Sequence, residues 1–348
     1  MVRHQNHAAH RHQGHGRSVG LLTLVLILVL AVPGLTASPA AAAGRPFLAY
    51  HASWTEVATT DPAETRLARL PGYITHVALG FTRPDLTYAG NLDLSGTGLL
   101  FPFSGQVLKD AIALLKSRNP AVRVLVSVGG WKHFGWDARN FDALARLVSD
   151  LGADGVDLDY ETENPGCTRT DGRVACADDA RSVAVLADLR RAVPRPALLS
   201  LAGWNVGAYG EGAFASAEPR NGPYVGMMLA MLRSPAAQTI DLVSVVSYDG
   251  GPTYRPDQAF RAYRRVWKGP LALGIQVMPS EAGDPRFTLE RTARLLSAIK
   301  DDPQAGGMLY AVAEVPPGPP SPDNPDYRSL MVAICVTLDL ADCAATIP

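Results

Sequence analysis

The sequence predicts an α/β fold, a single (β/α)8 barrel. Three observations carry that expectation. Eight short, nearly continuous apolar runs alternate with stretches of helical periodicity from Arg45 onward, the pattern of a parallel sheet buried on both faces. Chemistry-bearing side chains stand near the ends of those runs: Tyr50, Phe81, Trp131, Glu161, Trp204, Tyr248, Met278 and Tyr310. Barrels of this class gather their active-site groups at the C-terminal strand ends. The fourth run places acids at alternate positions. A doubly wound open sheet is the competing arrangement, but no G-x-G-x-x-G opens a helix after the first run.

Taken in order, Pro46 to Tyr50 reads as the first strand. A helical stretch around Ala63 to Leu70 precedes the second, Ile74 to Phe81. Val107 to Ser117 has helical spacing through Val107, Ala111, Leu114 and Leu115. Val122 to Val128 is the third strand and ends in Gly129-Gly130-Trp131. Phe141 to Leu151 is helical, with Leu144, Leu147 and Leu151 on one side. Gly155 to Glu161 is the fourth strand, followed by a Gly, Pro and Asn loop holding Cys167 and Cys176. A helix over Asp178 to Ala192 leads to a fifth strand from Ala197 to Leu201, and Tyr224 to Leu232 reads as a helix. Leu242 to Ser247 and Leu271 to Val277 are strands six and seven. Leu289 to Ile299 is a helix, Gly307 to Val312 the eighth strand, and Asp326 to Val336 the last helix.

Side chains two apart on a strand point the same way, about 6.5–7 Å from one another. Asp157, Asp159 and Glu161 therefore share one face, and Asp154 falls out of phase. Three carboxylates on one buried face repel, which holds at least one of them protonated near neutral pH. A neutral carboxylic acid beside a carboxylate suits cleavage of a glycosidic bond. A solvated acidic edge or a calcium loop is the bland alternative. Calcium loops space their acids similarly, but around a fixed glycine, whereas Val156, Leu158 and Tyr160 favour a packed strand.

The 348 residues and 47% apolar content fit a globular chain. A net charge of −1 leaves no basic footprint for nucleic acid. Arg3, Arg11 and Arg17 precede an uncharged run from Val19 to Val32, then small residues to Gly44. That is the pattern of a secretory signal peptide over residues 1–43, and the run is short of the ~20 residues of a membrane span. An uncleaved anchor is the rival reading. Removing residues 1–43 takes three arginines and no acid, so the charge moves from −1 to −4. Export suits the four cysteines, which fall into two local pairs, Cys167 with Cys176 and Cys335 with Cys343. Four cysteines allow three pairings, and the short loops favour the local ones. A zinc site is disfavoured by the absence of C-x-x-C spacing. No metal or cofactor is expected. The catalytic domain is expected to span 44–337, with 338–348 a disulfide-stapled tail, and the chain to be a monomer.

Asp154 to Glu161 matches the DxxDxDxE signature of family 18 glycoside hydrolases, the chitinases and related endo-N-acetylglucosaminidases, and on it the chain is identified as resembling that family. Ser127-Val128-Gly129-Gly130 resembles its SxGG motif, and Ser247-Tyr248-Asp249 its M-x-Y-D motif with Val246 in place of Met. Gly307-Met308-Leu309-Tyr310 resembles the last-strand motif, which usually carries Trp. The resemblance implies a secreted retaining hydrolase of N-acetylglucosamine-containing glycans. Glu161 would be general acid and base, Asp159 would hold the substrate acetamide, Asp157 would share a proton with Asp159, Tyr248 would fix the acetamide carbonyl and Asp249 would support. Tyr50, Phe81, Gly130, Trp131, Trp204, Gln276, Met278 and Tyr310 would line the sugar site. Phe81 resembles the aromatic that follows a non-proline cis bond in that family. The short stretch between strands seven and eight leaves no room for the small insertion domain of some members, so the cleft should be open. A non-catalytic glycan-binding protein on the same barrel is the alternative.

Overall fold

The structure is a computed structural model and describes Gly14 and residues 44–348. The signal peptide expected over residues 1–43 lies outside the described residues apart from Gly14. Eight parallel strands close into a barrel, each paired with the barrel strands before and after it in the chain. The strands and the main helices run, along the chain, β1 Phe47–Ala52, β2 His76–Thr82, α1 Gly105–Arg118, β3 Arg123–Gly129, α2 Phe141–Leu151 and β4 Gly155–Asp159. A two-stranded antiparallel hairpin follows, β5 Cys167–Thr170 and β6 Arg173–Cys176. Then come α3 Asp179–Ala192, β7 Leu198–Gly203, α4 Leu229–Arg233, β8 Leu242–Val245, α5 Pro256–Val266, β9 Leu271–Gln276, α6 Leu289–Ser297, β10 Ala305–Tyr310 and α7 Tyr327–Thr337. The predicted eight-stranded barrel is therefore the observed fold, and every predicted barrel strand is present. Between β9 and β10 the chain holds only turns and α6, with no insertion domain.

Helix starts follow their caps. Ser104, Asn140, Thr288 and Asp326 each accept a main-chain N–H of the first helical turn with their side chains. α2 ends at Gly152, whose φ of 68° suits a residue without Cβ. The strand interiors are fully buried, as a barrel packed inside and outside requires.

Four expectations differ. The stretch from Ala63 to Leu70 forms two 3-10 turns, Pro62–Glu64 and Leu67–Arg69. The buried Glu56 carboxylate takes the N–H groups of Arg66 and Leu67 at 3.2 and 3.0 Å, so those donors never enter a helical ladder. Tyr224 to Met228 is a run of turns before the five-residue α4. There, Gly226 and Met228 donate to the Val206 and Gly207 carbonyls, and Gly226 has a φ of 87°. α5 was not anticipated, because its buried Ala259, Phe260, Ala262 and Tyr263 are interleaved with arginines. The loop expected around the first cysteine pair is the β5–β6 hairpin, turning at Asp171-Gly172 with positive φ at both residues.

Both local disulfides form, Cys167–Cys176 and Cys335–Cys343. The second ties the end of α7 to the final residues. The Tyr327 hydroxyl donates to the Pro348 carbonyl, holding the last residue against the same helix.

Candidate active site

The site begins with register. β4 pairs with β3 so that Ser127 lies opposite Asp157 and Gly129 opposite Asp159; on its other side Asp157 lies opposite Ser200 of β7. Side chains that share a level of the barrel meet inside it. Asp157, fully buried, accepts hydrogen bonds from the Ser127 hydroxyl at 2.7 Å, the Tyr50 hydroxyl at 2.8 Å and the Ser200 hydroxyl. Burial pushes its carboxyl above the usual range, and the three donors, which favour the ionised form, pull it back. Asp154, at the opposite end of the strand, pairs with Lys116 at 2.8 Å and accepts the Val124 N–H, a structural role.

Asp159 stands one level higher. Burial raises its carboxyl well above the ordinary value, and the neighbouring charges of Glu161 and then Asp157 raise it further. β4 ends at Asp159, so Glu161 follows the strand instead of ending it. Its side chain is still only 8% exposed, and Oε2 has no hydrogen-bond partner among the described residues. Burial first, then the Asp249 charge, push the Glu161 carboxyl up to about 8. The carboxylate row thus ends in a buried acid with one uncommitted oxygen.

The glycines of the third strand end make room for this row. Gly129 has a φ of 108°, and a Cβ there would fall 2.1 Å from the Asp159 carbonyl oxygen and 2.8 Å from the Trp136 ring. Gly130, at φ 83°, donates its N–H to the Asp159 carbonyl at 2.9 Å; a Cβ would sit 3.3 Å from the Phe81 ring and 3.5 Å from Asp159 Oδ2. Only a residue without a side chain serves both the backbone and the space.

Aromatic rings floor the mouth. Tyr310 stacks on Tyr248 at 5.7 Å and meets Tyr50 edge-on at 5.7 Å. Phe81 stacks on Tyr50 at 5.8 Å and on Trp54 at 6.2 Å. The Gly80–Phe81 peptide is cis, as the resemblance implied, and so is Tyr310–Ala311. Tyr50 was expected to touch sugar. It is 2% exposed, and its hydroxyl is committed to Asp157, one layer beneath the opening. Tyr248 is buried, with its hydroxyl raised well above the ordinary value by burial, then by Tyr310, Asp159, Asp249 and Glu161. Asp249, at φ 53°, accepts from Gln276 Nε2 at 3.3 Å, from Ser280 Oγ at 2.8 Å and from the Glu281 N–H at 3.0 Å. Gln276 Oε1 is buried without a partner among the described residues. Met278, two residues past the end of β9, is partly exposed. Trp131 and Trp204 lie side by side at 6.3 Å on another part of the rim, and Trp131 is 56% exposed.

Several contributors escaped sequence reasoning. Trp136 is fully buried and donates its indole N–H to the Glu161 carbonyl at 2.6 Å. Asn205 donates to the Tyr248 carbonyl at 2.8 Å, holding the sixth strand end. Ser127 lies within the quoted SxGG motif, but Ser200 carries no local signal. Trp54 sits in the short 3-10 turn Ser53–Thr55 and Tyr224 in the turns before α4, and no motif marks either as a site residue.

The family model described as glycosyl hydrolases family 18 matches residues 47–255. Chitinase B of Serratia marcescens is 25% identical over 150 residues, 37% of this chain and 29% of that protein, so the match spans under a third of the relative's length. The crystal structure of the Ostrinia furnacalis Group IV chitinase in complex with allosamidin superposes with a TM-score of 0.55 at 14% identity, covering 85% of this chain and 99% of the other. The chitinase-like agglutinin of Robinia pseudoacacia does so with a TM-score of 0.53 at 14% identity, covering 84% and 99%. At these identities the two structures speak to the shared barrel.

Proposed function

From the premise that the chain belongs to glycosyl hydrolase family 18, we propose that it is a retaining glycosidase that hydrolyses β-1,4 linkages in N-acetylglucosamine-containing glycans. The observation that carries this reading is the buried Glu161 carboxyl, held protonated up to about pH 8 with Oε2 uncommitted. A carboxylic acid near neutral pH with a free oxygen is a general acid.

Glu161 donates its proton to the bridging glycosidic oxygen as the anomeric C–O bond breaks. Asp159, raised by burial and flanking charge, is a hydrogen-bonding partner rather than a nucleophile. The attacking atom is therefore assigned to the substrate: its 2-acetamido carbonyl oxygen closes on the anomeric carbon and forms an oxazolinium ion. Asp159 accepts the acetamide N–H, and it balances the developing positive charge once its own proton has passed to Asp157. Tyr248 donates to the carbonyl oxygen and fixes its angle of attack, an orientation effect worth several kcal/mol. Asp157 makes its three hydrogen bonds to Tyr50, Ser127 and Ser200. Among the described residues it makes none to Asp159, so its influence on Asp159 is through charge; sharing a proton needs Asp159 to turn. Water then opens the ring, Glu161 takes its proton, and configuration is retained.

The test is Glu161→Gln with N-acetylglucosamine oligomers as substrate. Loss of hydrolysis by a thousandfold or more with unchanged oligomer binding supports the assignment; the 10²–10⁴ typical of acid–base groups sets that scale. The second reading, a non-catalytic glycan binder, is suggested by the chitinase-like agglutinin that shares the barrel. Binding without turnover by the parent protein would establish it. Retention of Glu161 favours the enzyme. The disulfides and the leader-like stretch support a secreted protein.

A further inference from the structure

The β5–β6 hairpin contributes nothing to the carboxylate row, yet it is held firmly beside it. Both Val174 methyls fill the space beside Gly210 and Gly226: a Cβ on either glycine would come within 2.6 Å of them. The Val174 N–H donates to Glu211 Oε1 at 2.8 Å, and Arg233 grips the same carboxylate with two contacts of 3.0 and 2.8 Å. The Cys167 N–H donates to the carbonyl of Pro223 at 3.1 Å. Pro223 immediately precedes Tyr224, whose hydroxyl donates to the Glu163 carbonyl. The segment carrying Tyr224 is thus clasped from the hairpin and from the strand exit at Glu163.

Tyr224 in turn stacks on Trp204 at 4.8 Å with the rings 21° apart, and Trp204 leans on Trp131. The Tyr224 hydroxyl meets the chain at Glu163, two residues past Glu161, so the stack stands on the side of the site that Glu161 serves. Glu161 protonates the leaving group, so that side receives the leaving sugars.

We propose that the disulfide-closed hairpin is a positioning device: it fixes Tyr224, and through it Trp204, as a stacking platform for the reducing-side sugars of a β-linked N-acetylglucosamine oligosaccharide. The proposal rests on the glycosidase reading above. Aromatic faces bind sugar rings through area and alignment, and a platform held in place binds with less ordering cost. The hairpin residues themselves do no chemistry.

The experiment compares the parent with the Cys167→Ser, Cys176→Ser double variant on two substrates. One is the N-acetylglucosamine pentamer. The other is a chitobiosyl fluoride, whose fluoride leaving group reaches no platform. The expected result is a KM for the pentamer about tenfold higher, with kcat on the fluoride within about twofold of the parent. The same cysteine changes made on a Tyr224→Ala background should add less than about twofold, because the hairpin acts through that ring. A Val174→Ala variant, which keeps the disulfide, should raise the pentamer KM in the same direction and covers the case in which the cysteine variant does not fold. Equal KM values for the parent and for Val174→Ala, or cysteine effects that persist undiminished in Tyr224→Ala, overturn the proposal. Failure of the glycosidase reading shows differently: the parent leaves both substrates uncut. In that event pentamer binding by calorimetry decides, and a parent that binds no more tightly than the hairpin variants overturns the platform as well.

Discussion

The indole N–H of Trp136 reaches the main-chain carbonyl of Glu161 at 2.6 Å, so the residue proposed as the acid is positioned through its backbone by a ring with no exposed surface. The acid stands beyond the end of its strand, where no ladder bond fixes it. Trp136 takes the place of that ladder, and it packs against Tyr160 at 4.8 Å on the same segment.

Replacing Trp136 by Phe keeps most of the packing and removes the donor. A buried carbonyl left without a partner costs about 1–3 kcal/mol, so thermal unfolding should shift down accordingly. Looser placement of Glu161 should lower kcat about tenfold with KM nearly unchanged, as for an interaction expressed in the transition state. Steady-state kinetics beside a melting curve measures both. A loss confined to KM would contradict the positioning role.

The acid role proposed for Glu161 carries a pH signature. The proton is held up to about pH 8, and the protonated form is the working form, so kcat/KM should fall as pH rises through about 8. Stability follows the same group. Its folded value lies above the ordinary 4.5, so the folded state binds this proton more tightly than the unfolded state. The stabilising contribution is complete below about 4.5 and is lost as pH rises through about 8. Glu161→Gln carries no such group, so its melting temperature should gain on that of the parent between those two values. A difference that stays constant over that range would falsify the burial argument.

Asp157 depends on its donors. Ser200→Ala and Ser127→Ala each remove a hydrogen bond that favours the ionised carboxylate. The Asp157 carboxyl should then rise further, and the acid limb of the kcat/KM profile should move to higher pH in each variant. An acid limb that stays in place in both variants would show that Asp157 does not set it.

The two glycines of the third strand end should respond unequally to alanine. At Gly130 the new methyl meets the Phe81 ring at 3.3 Å. Left-handed backbone adds about 1–2 kcal/mol, so the variant should fold with reduced stability and weakened substrate binding beside Asp159. At Gly129 the methyl would overlap the Asp159 carbonyl at 2.1 Å, with the rigid Trp136 ring behind, and that variant should not accumulate as soluble protein. Soluble yield and melting temperature distinguish the two.

Much of this molecule is legible in the chain itself. Eight apolar runs fall where eight barrel strands lie, because strands covered on both faces must be apolar along their length. The acids of β4 and the glycines of β3 could be read because alternation fixes which way a strand residue points. Short-range signals mark two further elements: Asp171-Gly172 the hairpin turn, and Pro256 the start of α5. The stretch after Asp61 does not form the expected helix, because the Arg66 and Leu67 N–H groups go to Glu56, a side chain that is itself held at 2.9 Å by His51.

Alone, then, the sequence determined the strand order, the alternation of acids and the glycines that clear space for them, since these depend on residue type and on neighbours along the chain. Tertiary structure alone decided that the Tyr50 hydroxyl reaches across to Asp157, that Ser200 joins it from the adjacent strand, and that Trp136 steadies Glu161 from 25 residues away. Those contacts arise from barrel register and closure. Both are set by the packing of all eight strands at once, so no local pattern encodes them.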